Sequence, residues 1–257
     1  LRCVIFIHIN ASQMKRYLFI KEAVMQTASL QQTQTQIRVN DFIRSVYNWM
    51  AIGLGLTGVM AFYVAQNEFL RSLIFGNPIL FYGLIIGELA LVFFLSARVQ
   101  KLRASTATAL FVLYSILNGA TLSFVFLVYT SSSITSTFFI CAATFVSCSI
   151  YGMVTKRDLT SLGGFMVMGL IGIIIASLVN VFIGSYGLHM IIGYIGVIVF
   201  VGLTAYDTQK LKSMALSQPD GLDGGTIRKG AIMGALTLYL DFINLFLMLL
   251  RILGDRD

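Results

Sequence analysis

Charge and proline are both scarce. Only 11% of the 257 residues are charged, against about 25% in an average soluble domain, while 57% are hydrophobic and the mean hydropathy is +0.85. A water-soluble domain of this size is excluded, and an integral membrane protein is implied. The two prolines, Pro78 and Pro219, leave the apolar stretches uninterrupted. These stretches are too long for the alternating strands of an outer-membrane barrel, so the fold expected is all-α. Three cysteines, Cys3, Cys141 and Cys148, show neither paired nor metal-ligand spacing. They suggest no disulfide framework, and Cys141 and Cys148, seven apart, read as packing residues. The net charge of +7 does not point to nucleic acid, because the basic residues cluster between hydrophobic segments, where membrane topology accounts for them.

Seven stretches of spanning length follow one another: about 46–66, 78–97, 106–129, 134–154, 162–183, 188–206 and 231–250. They form a domain over 45–257, preceded by a polar tail, 1–44, for which a disordered leader is the expectation. The tail's "CVIFIHI" is too short to span and lacks the small-residue cleavage site of a secretory signal. Met25 offers a natural start, which would leave residues 1–24 as a non-native extension. Fifteen of the eighteen Lys and Arg residues fall in the tail and the loops after the second, fourth and sixth spans. This bias predicts a cytoplasmic N-terminus. An odd number of spans then puts the C-terminus outside, although Arg251 and Arg256 favour the opposite side, and a last segment that enters and returns is the alternative. The pairs Gly53/Gly55, Gly83/Gly87, Gly169/Gly172 and Gly193/Gly196 suggest close helix packing. Tyr47 and Trp49 fit an interfacial belt, and His8 and His189 have no ligand partner at suitable spacing.

Intramembrane acids carry the functional signal. An ionised carboxylate at the bilayer centre costs about 2.5–3.5 kcal/mol on insertion scales, so it is retained where it serves a purpose. Glu88, Asp207 and Asp241 qualify. Asp241 stands inside "GALTLYLDFINLFLMLLR" and shares a face with Thr237 and Asn244; lipid cannot satisfy such a stripe. Asp207 closes the sixth span in "GLTAYDTQKLK", where a solvated helix end is the bland reading. Paired on adjacent helices, the two aspartates could not both ionise cheaply; they would titrate as a unit and form a candidate pH sensor. Glu88 reads as a pore-lining or helix-pairing acid. Arg98 belongs near the mouth of the bundle, where it either snorkels or pairs with Asp207 to close a pore.

The stretches "TAYDTQKLK", "GALTLYLDFINLFLMLLRILG", "GELALVFFLSARVQKL" and "YGMVTKRDLTSLG" resemble the Bax inhibitor-1 (transmembrane Bax-inhibitor-motif) family, especially its bacterial inner-membrane members, over about residues 40–255. The resemblance implies seven transmembrane helices with the last central in the bundle. It also implies a pH-sensitive calcium leak channel in which Asp207 and Asp241 form the sensor and Arg98 the latch; the Glu88 to Arg98 spacing departs from the family pattern by one residue. Calcium prefers several oxygen ligands, and Glu88, Asp207, Asp241 and the amides of Asn118, Asn180 or Asn244 could offer weak, transient stations along a path. No cofactor is expected. An intramembrane aspartyl protease is disfavoured, because the second acid lies in "LYLD" rather than a GxGD motif. The resemblance also leaves open a non-conducting regulator of cell stress or of a membrane protease partner, and intramembrane acids would equally suit a proton-coupled transporter.

Overall fold

The computed structural model describes residues 11–219 and 221–256. Cys3, His8 and the "CVIFIHI" stretch lie outside them. The described chain forms nine α-helices: α1 (Ala11–Gln66), α2 (Glu68–Phe75), α3 (Pro78–Arg98), α4 (Ala104–Leu122), α5 (Val125–Val128), α6 (Ser131–Val154), α7 (Thr160–Ile183), α8 (Tyr186–Leu216) and α9 (Gly224–Leu253). Seven of them contain stretches long and apolar enough to cross a membrane, matching the seven expected. Helix starts are set by polar side chains that accept otherwise orphaned backbone N–H groups. Asn77 accepts from Ile79 and Leu80 ahead of Pro78, Thr130 accepts from Ser133, Ser185 from Leu188 and Asp223 from Thr226.

Two compact units are distinguished, one up to Asp41 and one from Phe42 onward, and the site described below lies in the second. The expected disordered leader is helical from Ala11. Two other boundaries differ from expectation. The sixth span was expected to end at 206, but α8 runs on to Leu216, so Asp207 is an interior residue of a helix rather than a helix end. The last helix begins at Gly224, well before 231, and at 1.5 Å per residue its 30 residues reach about 45 Å, more than the hydrocarbon core requires. Both helices continue past the apolar runs because "DTQKLKSMAL" and "GGTIRKGAIM" are helix-compatible and α9 is capped by Asp223.

The last helix is central. Gly234, Ala235, Leu236, Leu238, Tyr239, Asp241, Phe242 and Ile243 are all buried. Consecutive positions turn by about 100°, so a helix packed on one side could not bury them all. Its neighbours are α4, α6 and α8, with the Phe42–Gln66 part of α1 closing in where Gly234 meets Val46. Close approaches fall only partly where the glycine spacing suggested. A Cβ on Gly53, Gly169, Gly193 or Gly196 would press on a neighbouring side chain, whereas Gly55, Gly83, Gly87 and Gly172 face open space. The tightest backbone crossing is Gly152 of α6 against the Ala205 carbonyl of α8, two residues before Asp207. Past α9, the Asp255 N–H donates to Ser133 Oγ (2.9 Å) and Thr130 N–H donates to the Asp255 carbonyl (3.1 Å). This fixes the chain at the end of the bundle away from the Lys- and Arg-rich loops, so α9 runs from one end of the bundle to the other as a single helix.

Candidate functional site

The α8–α9 interface brings the two aspartates together. Asp241 is 5% exposed; one of its oxygens, Oδ2, has no hydrogen-bond partner, while the carboxyl group lies within hydrogen-bonding reach of Asp207. Asp207 is half-buried, and the cation facing it is Lys210, one turn further along α8. The second lysine of that turn is engaged elsewhere: Lys212 Nζ donates to the Met153 carbonyl at the C-terminal end of α6 (2.6 Å), where a helix end favours positive charge. Gln209 accepts from Leu159 N–H and donates to the Arg157 carbonyl, holding the α6–α7 loop to α8. Thr208 Oγ1 lies 3.4 Å from Ser149 Oγ. The acid pair therefore sits on a braced interface with one oxygen unsatisfied, an arrangement that costs energy unless a proton, water or cation occupies it.

Tyr239, two residues before Asp241, faces nearly the opposite side of α9 and anchors a second polar cluster. Asn118 Nδ2 of α4 donates to its hydroxyl (2.8 Å), and the hydroxyl lies 2.6 Å from Thr57 Oγ1 of α1. Because Thr57 itself donates to the Ser115 carbonyl (2.8 Å), Tyr239 is the donor to Thr57, and the proton order along the chain is fixed. Thr121 connects this cluster to Glu88, with Oγ1 3.0 Å from both Glu88 Oε1 and the Asn118 carbonyl. Glu88 and Asn118 thus belong together. Asn244 does not join them; its Nδ2 donates to the Leu240 carbonyl of its own helix. Asn180 accepts from Ser185 N–H at the α7–α8 turn.

The expected Arg98–Asp207 latch is not formed. Arg98 is the exposed last residue of α3 and makes no ion pair among the described residues. The physical reason is packing, since α3 rests mainly on α4 and α2 rather than on α8. Sequence reasoning missed Tyr239, Thr57 and Ser115, whose hydroxyls inside apolar helices give no signal of their own. Cys141 is buried and donates to the Phe242 carbonyl (3.7 Å), in keeping with a packing role. Arg228 stacks over Trp49 (5.4 Å).

A bundle of apolar helices packed around a central one that carries a buried acid defines a polytopic α-helical integral membrane protein. Comparison with known proteins makes the class specific. A family profile described as "Inhibitor of apoptosis-promoting Bax1" matches residues 39–257, and the chain belongs to the Bax inhibitor-1 family. The inner membrane protein YbhL of Escherichia coli K12 is 54% identical over 223 residues, 87% of this chain and 95% of the relative. A Rickettsia prowazekii protein is 48% identical over 219 residues (84% and 89%), and a Borreliella burgdorferi protein 45% over 226 (88% and 97%).

Proposed function

We propose that the protein is a pH-sensitive calcium leak channel of a bacterial inner membrane, with its N-terminus in the cytoplasm and the Asp207–Asp241 pair as its gate. The observation that carries this reading is the buried Asp241 carboxyl group, in reach of Asp207 and left with one oxygen unpartnered. A shared proton holds two such acids together, whereas its loss leaves two negative charges a few ångströms apart, which drives the helices to rearrange and attracts a cation. Among the described residues no three acids, histidines or cysteines converge on one point. In this reading the pair offers calcium only a few of the oxygen ligands it prefers and serves as a weak, transient station, as conduction requires. Glu88 and Asn118 supply further oxygens on the other side of α9, Asn244 adds an amide along the central helix, and Arg98 is the latch candidate, open in this conformation. The reading assigns no catalysis and no cofactor. The inner-membrane placement follows YbhL, and the orientation follows the basic loops.

The test is calcium entry into dye-loaded proteoliposomes compared across about pH 6–8, where a gate set by a shared proton would show as a pH-dependent flux. Wild-type flux should depend on pH, and Asp207→Asn and Asp241→Asn should each abolish that dependence. Absent flux, or flux indifferent to both substitutions, would transfer the assignment to a non-conducting regulator of membrane proteolysis.

A further inference from the structure

The end of the bundle away from the basic loops has few cationic side chains, yet two of them, Arg251 and Arg256, meet His189 near the start of α8. α7 ends at Gly184, whose φ of +67° lets the chain reverse at once into Ser185, and the Ser185 hydroxyl caps the 31-residue α8. Beside this turn lies a cleft of about 260 Å³ lined by Asn180, Gly184, Ser185, Tyr186, His189 and Arg256. Arg256 is placed by the fastening of Asp255 to α6 and by its own stacking over Tyr129 (5.8 Å). Arg251 reaches the same region from α9, its stem passing over Gly193, where a Cβ would meet Cδ at 3.2 Å. Gly193 is one turn from His189, and both arginines lie close enough for their charges to act on the imidazole. Arg251 Nη1 and His189 Nε2 are buried without a hydrogen-bond partner, and no carboxylate pairs with the cluster among the described residues.

A guanidinium withdrawn from water without a counter-charge is unfavourable, and half-buried Arg251, with exposed Arg256 in the same region, meets no carboxylate among the described residues. The backbone N–H groups at the N-terminus of α8 add a partial positive charge to the same cleft. The volume exceeds that of a few waters, at about 30 Å³ each. Arginine's planar fork matches the oxygens of a phosphate better than those of a spherical anion. We propose that this cleft is an anion site that takes a phosphate group, either the phosphodiester of a lipid headgroup or free phosphate, with Arg251 and Arg256 balancing its charge and His189 and the start of α8 as additional contacts.

This site is distinct from the acid pair, and its test reads binding rather than flux. The full chain in detergent micelles is titrated with phosphatidylglycerol, with diacylglycerol as the phosphate-free lipid, and with inorganic phosphate against matched chloride; binding is followed by native mass spectrometry and thermal shift. Arg256→Gln, an exposed position whose change leaves folding intact, should weaken phosphate-group binding about tenfold, the loss expected for one charge-assisted contact. Arg251→Lys should weaken it less than Arg251→Gln, and Arg71→Gln, a cation of α2, should leave it unchanged. Binding of phosphatidylglycerol alone assigns the site to a headgroup, and binding of inorganic phosphate as well assigns it to the free anion; either outcome supports the proposal. Equal affinity in wild type and Arg256→Gln, or no preference for phosphate over diacylglycerol and chloride, would overturn it.

Discussion

Replacing Tyr239 with phenylalanine removes one oxygen from a fully buried site while leaving the ring, and its edge-on contacts with Phe111 and Tyr114, in place. Two hydrogen bonds disappear, from Asn118 Nδ2 at 2.8 Å and to Thr57 Oγ1 at 2.6 Å. Thr57 retains its bond to the Ser115 carbonyl, but the Asn118 amide is left with only a long 3.5 Å approach to Tyr114. Interhelical hydrogen bonds in membranes average about 0.6 kcal/mol and reach about 1.7. An orphaned buried donor costs about 1–3 kcal/mol. Tyr239→Phe should therefore destabilise the fold by about 2 kcal/mol. Reversible unfolding of the purified protein in mixed micelles measures the loss, and a double-mutant cycle with Thr57→Val isolates one bond, with an expected coupling of about 0.5–1.5 kcal/mol. Because Tyr239 points away from the acid pair, the variant should retain the pH midpoint of calcium flux. A cost below about 0.5 kcal/mol, or strict additivity with Thr57→Val, would refute the assigned network.

Gly152→Ala should destabilise by about 1–3 kcal/mol in the same unfolding assay, because the new methyl runs into the backbone carbonyl of Ala205, which cannot swing aside; Gly83→Ala, facing open space, should not. Arg98→Gln should leave stability within about 0.5 kcal/mol, since Arg98 is exposed and makes no ion pair among the described residues. In proteoliposomes it should raise resting flux, and unchanged flux removes Arg98 from the gate. Asp223 caps α9 through the Thr226 hydroxyl and N–H, which hold its carboxyl below the usual range. A lowered folded value means that the cap contributes fully above the unfolded carboxylate pKa of about 3.9 and is lost as pH falls through the lower, folded one. Hydrogen exchange at residues 224–227 should accelerate below about pH 4 in wild type, and in Asp223→Asn this pH step should be absent.

Hydropathy made the seven spans legible, since any apolar run long enough to cross a bilayer must satisfy its backbone as a helix. Boundaries were less legible. The polar continuations of α8 and α9 carry little hydropathy signal, yet Thr208, Leu211 and Ala215 on α8 and Ala231 and Ile232 on α9 are buried there, so tertiary packing as well as capping extends them. Asp207, Asp241 and Glu88 stood out from sequence because a carboxylate in an apolar segment is costly wherever it lies. Tyr239 and Thr57 did not, because a hydroxyl in such a segment can bond its own helix, as Thr204 does to the Phe200 carbonyl.

What the sequence determined alone is the membrane class, the number of spans and the identity of the intramembrane acids, all of which follow from the chemistry of single residues in lipid. Tertiary structure alone decided which groups meet: Asp241 with Asp207 on one side of α9, Tyr239 with Thr57 and Asn118 on the other, and Arg98 left apart from the acid it was expected to latch. Such partnerships depend on helix rotation and crossing points set by side-chain packing, such as Gly152 against Ala205 and Gly193 beneath Arg251, and no single helix encodes them.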